Sequence, residues 1–526
     1  MAVEALVDWR EEEGQLTPVA IGEGGERIPV AWTAQPGSQQ VFLTCLVPEL
    51  LYEGTRGPGK TDTLIIDFAQ HTGPDDPNRD PSKPQWKGWG SEWRGILFRK
   101  TYPQLADVIA KTKKWFPLIF PDARFNEGKT TWTWPDGETL KLAYGAKEDD
   151  YWNYHGHQYP WIGFEELTTW ADPGFYKKMM SCNRSPIRKI PRKFRATTNP
   201  YGPGHNWVKL RFRLPLAPGQ VMGNVIWERD SDGKLLPPRA AIHGYLDENR
   251  ILMTADPQYK ARIRAAARNK AELEAWLHGS WDIIAGGMFD DIWNPQIHVV
   301  PNIEIPSSWR IDRSFDWGSS KPFSVGWWAE SDGSDLCLPN GRLCSTVRGD
   351  LFRIAEWYGW TGEPNEGVRM LAVDITKGII EREIRWGIHD RVSPGPADSS
   401  IFAVENGMSI AVDMQKPVLV NNRKLNGIRW LPADKRAGSR KTGWELMRKY
   451  MAGAIRNGLP REHPGLFICQ RCEQFRRTVP VLPRDLDKDP DDVDTDAEDH
   501  VADEVRYRIR FAGQRTTSGR VKGMPS

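Results

Sequence analysis

The sequence predicts an α/β protein of two domains, and three observations carry the prediction. From about residue 43 to about residue 215, short apolar runs alternate with helical patterns, as buried parallel strands with crossover helices do. A Gly-rich turn, Gly54-Thr-Arg-Gly-Pro-Gly-Lys60-Thr61, lies between one such run (ELLYE) and one such helix (TDTLIIDFAQH). After a Gly-punctuated joint, GSWDIIAGGMFDDIW, a second series of apolar runs opens near Trp309. The 526 residues suffice for at least two cores.

In chain order, residues 1–40 are polar and mixed in sign, a mobile lead-in or a small leading subdomain. Residues 41–285 form the first domain. Its strands are expected at the run ending in Tyr52, at Gly95–Arg99 (GILFR), Thr139–Tyr144 (TLKLAY), Trp161–Phe164 (WIGF) and Phe194–Thr197 (FRAT). About 215–285 reads as a linker or lid, with one Ala-, Lys- and Arg-rich surface helix over 257–277. A joint at 286–308 leads to a second domain at 309–511, with neighbouring strands at Phe323–Ala329 and Leu351–Trp357. Residues 512–526 read as a disordered basic tail.

Lys and Arg number 71 and Asp and Glu 69, a formal net charge of +2, which excludes an overall basic protein but not a local basic stripe. With 39% hydrophobic and 27% charged residues the chain is globular, not disordered. No stretch approaches the ~18 consecutive apolar residues of a membrane span. The acidic N-terminal segment lacks an apolar signal region, so a cytoplasmic protein with six reduced cysteines is expected. Most of the 25 Trp are expected in the core.

The Gly-rich turn fits G-x-x-x-x-G-K-[ST] in its required strand–loop–helix setting. Its glycines let backbone N–H groups curl around phosphate oxygens, Lys60 adds a point charge, and the Thr61 hydroxyl can ligate Mg²⁺. Hydrolysis needs an acid on a neighbouring strand. The apolar strand in YPWIGFEEL ends in Glu165 and Glu166, the first suited to the metal shell and the second to polarising water. Further on, Thr197, Thr198 and Asn199 close a strand and could sense a γ-phosphate. In the second domain Asp316 (RSFDWGSSK) and Asp398 (GPADSS) each end a short segment. His500 and Asp503, three apart, share a helix face. Acids so scattered can converge at one sheet end and hold two divalent metals for phosphodiester cleavage.

Taken together, GTRGPGKT, ILFRKTYPQL, WIGFEEL, ATTNP, HGSWDIIAGGMF, SFDWG, GPADSS and DHVADEVRY resemble the large subunit of tailed-phage terminases, over about Gln39–Ile509. The resemblance implies a RecA/ASCE-like P-loop ATPase domain joined to an RNase H-like nuclease domain. It implies ATP and Mg²⁺ at Gly54, Thr55, Arg56, Gly57, Pro58, Gly59, Lys60, Thr61, Glu165 and Asn199. Glu166 is then the catalytic glutamate, Thr197–Asn199 the coupling motif, and Arg56 or Arg99 the arginine that neutralises charge developing on the γ-phosphate. Gln39 or Gln40 would contact adenine. Asp316, Asp398 and Asp503 would bind two Mg²⁺ or Mn²⁺, with His500 accessory. The implied partners are double-stranded DNA, a portal protein, a small terminase subunit and further copies in a ring, a pentamer, on the procapsid in the host cytoplasm. The chain departs from the family in having Glu at 165 where Asp is commoner, and in the density of acids over 485–499, which read as a solvated loop, with additional metal ligands as the alternative. A helicase-like or repair ATPase with a nuclease domain, and a nucleotide-regulated assembly protein, are the alternatives.

Other features weigh less. Cys337, Cys344, Cys469 and Cys472 are spaced too widely for a compact zinc module. His155 and His157 fit a loop leading to the Glu165 strand. Lys111, Lys113 and Lys114 suit a solvated helix face. Lys260, Arg262, Arg264, Arg268 and Lys270 are the better candidates for phosphate contacts.

Overall fold

The computed structural model describes residues 7–519, apart from 13, 22–26, 73–88, 231, 268–269, 282–286, 340, 342, 405–406, 457–459 and 486–488. The chain divides into two compact units, Met1–Gly286 and Gly287–Ser526. Both are α/β.

The first unit is built on an eight-stranded sheet. Its order is Arg239–Gly244, Glu49–Gly54, Lys193–Thr197, Trp161–Phe164, Arg94–Arg99, Thr139–Tyr144, Thr131–Thr133, Arg124–Asn126. The first six pair in parallel and the last two add antiparallel. The strands are short and apolar because both faces are covered, so period-2 alternation fails and every residue of Glu49–Gly54 is buried. Alternate residues feed two cores: Leu51, Ile96 and Phe98 pack on one side with Phe164 and Tyr176, and Leu50, Tyr52 and Leu97 on the other with Leu64 and Phe68. The order inserts the Lys193–Thr197 strand between the strand feeding the Gly-rich turn and the strand ending in the paired glutamates, so all three present their C-terminal ends side by side.

Ahead of this sheet, Val7–Glu12, Gln15–Ile21 and Arg27–Pro29 form a three-stranded antiparallel sheet. Across 257–277 two helices stand where the sequence reads one: Tyr259–Ala266 ends at Ala267, whose ψ of 128° is extended, and Lys270–His278 follows. Leu246, Ile263, Ala275 and Trp276 give this region its own small core.

The second unit has three long antiparallel strands, Arg310–Asp316, Ser324–Glu330 and Leu351–Tyr358. Leu466–Cys469 and then Val299–Val300 extend the sheet in parallel on one side, and Pro396–Ala397 and Leu431–Pro432 on the other. The helix His500–Gly519 packs on Arg310–Asp316 and on the helix Ser439–Ala454. It runs past the 511/512 boundary drawn from the sequence, and 520–526 lie outside the described residues. Several tryptophans are core residues with a satisfied indole N–H: Trp328 donates to Ser314 Oγ at 2.7 Å and Trp327 to Glu383 at 2.9 Å. Among the described residues no helix is long and apolar enough to cross a membrane.

Candidate functional sites

The Gly-rich turn joins the Glu49–Gly54 strand to the helix Lys60–Ala69. Gly54, at φ 127°, has no room for a side chain: a Cβ there would stand 2.3 Å from the Gly244 carbonyl oxygen. Gly59, at φ 86°, brings the helix N-terminus around. The turn is braced from outside. Gln39 Nε2 donates to the Pro58 carbonyl at 2.7 Å while its Oε1 accepts from the Gln35 N–H at 3.0 Å. Both ends of that amide are therefore used within the chain, whereas Gln40 is exposed. Asn249 donates to the Gly57 carbonyl and accepts from Gln35, a brace that the sequence did not signal.

The buried ammonium of Lys60 donates to the Thr55 carbonyl at 2.6 Å and to Asn199 Oδ1 at 2.9 Å. Burial pushes its pKa down to about 8, against the pull of Glu166, Glu53 and Glu165. The Asn199 amide in turn donates to both carboxylate oxygens of Glu166, at 2.9 and 3.2 Å. Glu166 sits in the left-handed region at φ 55°, a strained turn that carries its carboxylate off the strand and toward Asn199. Thr198 is tied to the same corner: its hydroxyl accepts from the Thr168 N–H and bonds the Thr168 hydroxyl at 2.8 Å. Thr197 and Thr55 are buried beside them.

At the neighbouring positions, the Thr61 hydroxyl donates to Glu165 Oε1, and Arg99 meets Glu165 Oε2 at 3.1 Å. Burial pushes the Glu165 carboxyl up, with Arg99 and the Thr61 hydrogen bond opposing. A hydroxyl and a carboxylate in contact beside the Gly-rich turn are hard oxygen donors of the kind Mg²⁺ takes, and the longer Glu reaches Thr61 directly. The two candidate arginines stand apart. Arg99 pairs with Glu165, whereas Arg56 lies 3.7 Å over the Trp276 ring and hydrogen-bonds the Tyr201 hydroxyl.

In the second unit, Phe315 pairs with Ala397 on adjacent parallel strands, which places Asp316 and Asp398 at the same sheet end. The first turn of His500–Gly519 faces them. His500 Nδ1 donates to Asp316 Oδ2 at 3.3 Å, and Tyr507, on the same helix face, donates to Asp316 Oδ1 at 3.2 Å. Burial, with Asp503 and Asp398 adding repulsion, raises the Asp316 carboxyl to about 6 although His500 opposes it. Burial works against the His500 cation, but the Asp316 hydrogen bond and the surrounding acids outweigh it and raise the imidazole. The outer side of the imidazole, Nε2, is buried and has no hydrogen-bond partner among the described residues. Lys435 donates to Asp398 at 2.6 Å and Arg506 to Asp503 at 3.1 Å.

Asp499 joins this group, although the sequence reading placed it in a solvated loop. It is buried, paired with Arg440 at 2.8 Å, and raised to about 7 by burial and by Asp503. Its position next to His500 on the acid-facing helix start was the available signal. Lys435 and Tyr507 were also missed; Tyr507 lies one helical turn beyond Asp503 on the same face. Among the described residues no three His, Cys, Asp or Glu side chains are closed into a metal cage. The donor chemistry nevertheless suits hard divalent cations: carboxylates gathered at one sheet end, with Asp316 and Asp499 raised by burial and by the repulsion of Asp503, and a buried imidazole nitrogen left over. Cys469 and Cys472 are buried while Cys337 is exposed, so the four cysteines do not gather.

No protein-family model and no curated protein matches the sequence. Among solved structures, the large terminase from a thermophilic bacteriophage in complex with ADP is similar at 14% identity and a TM-score of 0.35, covering 91% of this chain and 99% of that one. The HK97 bacteriophage large terminase is similar at 10% identity and a TM-score of 0.37, covering 88% and 91%. The P22 large terminase nuclease domain is similar at 14% identity and a TM-score of 0.27, covering 43% and 93%. These superpositions are loose, so the roles of individual side chains rest on this chain's own contacts; the likeness is to the bacteriophage large terminases that its motifs also resemble.

Proposed function

We propose that this chain is the large subunit of a viral DNA-packaging terminase: an ATP-driven translocase of double-stranded DNA joined to a metal-dependent endonuclease that cuts the concatemer. The observation that carries the reading is the coexistence, in one polypeptide, of the Lys60–Asn199–Glu166 hydrogen-bond chain and the Asp316, Asp398, Asp503 and His500 group.

In the first unit the N–H groups of the Gly-rich turn receive the β- and γ-phosphates. Lys60 exchanges its carbonyl and Asn199 contacts for phosphate oxygens. Asn199, released from Lys60, is left bonded to Glu166 and fixes the carboxylate that orients the attacking water. Thr61 and Glu165 would hold Mg²⁺, which supplies charge neutralisation at the phosphates. Arg56 or Arg99 supplies the cation that answers the developing charge. Because Asn199 follows directly on the Lys193–Thr197 strand, which lies between the strands carrying the Gly-rich turn and the paired glutamates, loss of the γ-phosphate contact is felt along that strand.

In the second unit Asp316, Asp398 and Asp503, with His500, would hold two divalent ions, which supply water activation and leaving-group stabilisation at a phosphodiester. Tyr507 orients Asp316. In this reading the chain works as a ring of copies, a pentamer, at a portal, with a small subunit delivering DNA in the host cytoplasm.

The test pairs two assays on the full chain. ATP turnover is expected to rise on adding duplex DNA and to fall at least about 100-fold in Lys60→Ala. Supercoiled plasmid is expected to be cut with Mn²⁺ or Mg²⁺ by wild type and Lys60→Ala, and by neither Asp316→Ala nor Asp503→Ala. Cutting by both Asp variants at the wild-type rate would remove the nuclease assignment. ATP turnover indifferent to duplex would remove the motor.

A further inference from the structure

Fifty-five consecutive residues, 173–227, contain eleven Lys and Arg and no Asp or Glu. Protein surfaces ordinarily intersperse both signs. Some of these cations serve the fold: Lys193 and Arg195 are buried on Asp67, and Arg211 forks onto Glu49 at 2.6 and 2.8 Å. Others do not. Arg188, Lys189 and Arg192 are exposed on the loop ahead of the Lys193–Thr197 strand, and among the described residues no carboxylate pairs with them. The Arg184 guanidinium, also exposed, donates to the Gly156 carbonyl at 2.8 Å.

Several other cations are answered by acids. Lys260 pairs with Asp247 and Arg262 with Asp256 on the lid helix. Lys111 pairs with Asp107 at 3.4 Å and Lys113 with Glu127 at 2.5 Å. The side chains of Arg268 and Lys270 lie outside the described residues.

The loop is also held in shape. Asn183 Nδ2 reaches the Tyr159, Pro160 and Lys193 carbonyls at 3.0, 2.9 and 3.2 Å, Ile190 is buried, and Pro186 and Pro191 fix the backbone between them. It feeds the five-residue strand Lys193–Thr197, about 17 Å long. The far end of that strand carries Thr198 and Asn199, and its Lys193 and Arg195 clamp the helix that follows the Gly-rich turn through Asp67.

We infer that the exposed loop 183–192 is the surface on which the first unit holds the phosphate backbone of duplex DNA. A motor that ignores sequence needs charge without base readout, and guanidinium forks on a braced loop provide it. The strand then carries the nucleotide state of Asn199 to the grip. This rests on the motor reading above.

The experiment uses the full chain and a labelled duplex of mixed sequence, with affinity followed by fluorescence anisotropy between about 50 and 200 mM salt. The triple variant Arg188→Ala/Lys189→Ala/Arg192→Ala is expected to flatten the slope of log affinity against log salt by about 0.9 for each cation removed. It should also lose stimulation of ATP turnover by duplex, while basal turnover stays at the wild-type value. Lys260→Ala/Arg262→Ala should keep the wild-type slope. A triple variant with wild-type affinity and slope overturns the inference and leaves the motor standing, since wild type still binds. Wild type that neither binds duplex nor responds to it overturns the motor, and the inference with it. A loss confined to single-stranded oligonucleotide overturns the assignment to duplex.

Discussion

Asn199 gives the first site its logic: one amide takes a hydrogen from Lys60 and gives hydrogens to both oxygens of Glu166. Asn199→Asp keeps the shape but replaces the donor with a second carboxylate facing Glu166. That change leaves the Gly-rich turn intact and misorients Glu166, the proposed catalytic acid. We expect kcat to fall about 10–100-fold with little change in KM, the pattern for an interaction used only in the transition state. A rise in KM at constant kcat would mean that Asn199 serves binding alone. At this scale Lys60, Thr61 and the paired glutamates were legible because a fixed spacing ties them to one turn or one strand end. The Arg99–Glu165 pair, the Gln39 brace and the burial of Asp499 were not, because each depends on which strands and helices become neighbours.

At the scale of elements, Asp67 holds the helix after the Gly-rich turn onto the sheet. It is fully buried, and it accepts from Lys193 and Trp161, both at 2.8 Å, with Arg195 at 3.3 Å. Burial works to raise its carboxyl, but Lys193 and Arg195 outweigh it and hold the group below the usual carboxylate range. Its stabilisation is therefore present above the unfolded-state pKa of about 4 and is lost as pH falls through the lower folded value. Asp67→Asn leaves two buried cations without their counter-charge, a loss of about 3–5 kcal/mol. Urea unfolding measures it, and a loss under about 1 kcal/mol would show that the clamp is not structural.

His71, against the Trp93 ring at 4.7 Å, is pushed down to about 3 by burial and by Lys193 and Arg195. Folded His71 stays neutral while the unfolded chain takes up a proton below about pH 6.5, so stability declines as pH falls from about 6.5 toward 3. His71→Phe is expected to remove up to about 1.4 kcal/mol per pH unit of that slope. An unchanged slope would place the acid sensitivity in other groups. The strands around these residues were legible because both faces are buried and the text is continuously apolar. The break at Ala267 was not, since an Ala-rich run favours helix on either side of it and only the packing of Ile263 and Trp276 into one small core sets the two pieces apart.

At the scale of the whole molecule, each unit has its own core. That of the first packs on both faces of its sheet, around Leu64 on one and around Phe98 and Phe164 on the other, and that of the second surrounds Trp327, Trp328 and Trp444. The two-domain α/β class was legible because each core has its own series of apolar runs, with a Gly-rich joint between them. The second site was harder to assemble from sequence than the first: its acids come from strands some 80 residues apart and from a helix a further hundred along, and only the sheet order brings them to one end. Two cores with two different ligand chemistries should respond separately. A nucleotide at about 100 times its Kd should stabilise the first unit by about 2.7 kcal/mol, through contacts that the second does not share. Mn²⁺ should likewise stabilise the second unit, by offsetting the burial and the repulsion from Asp503 that raise Asp316 and Asp499. In scanning calorimetry, ADP with Mg²⁺ is expected to move one unfolding transition, Mn²⁺ alone chiefly the other. Lys60→Ala should cancel the first shift and Asp316→Ala/Asp503→Ala the second. If the double Asp variant still shows the full Mn²⁺ shift, the metal binds elsewhere and the second site loses its chemistry. If nucleotide moves both transitions equally in wild type, the two cores unfold as one and their stabilities are not separable.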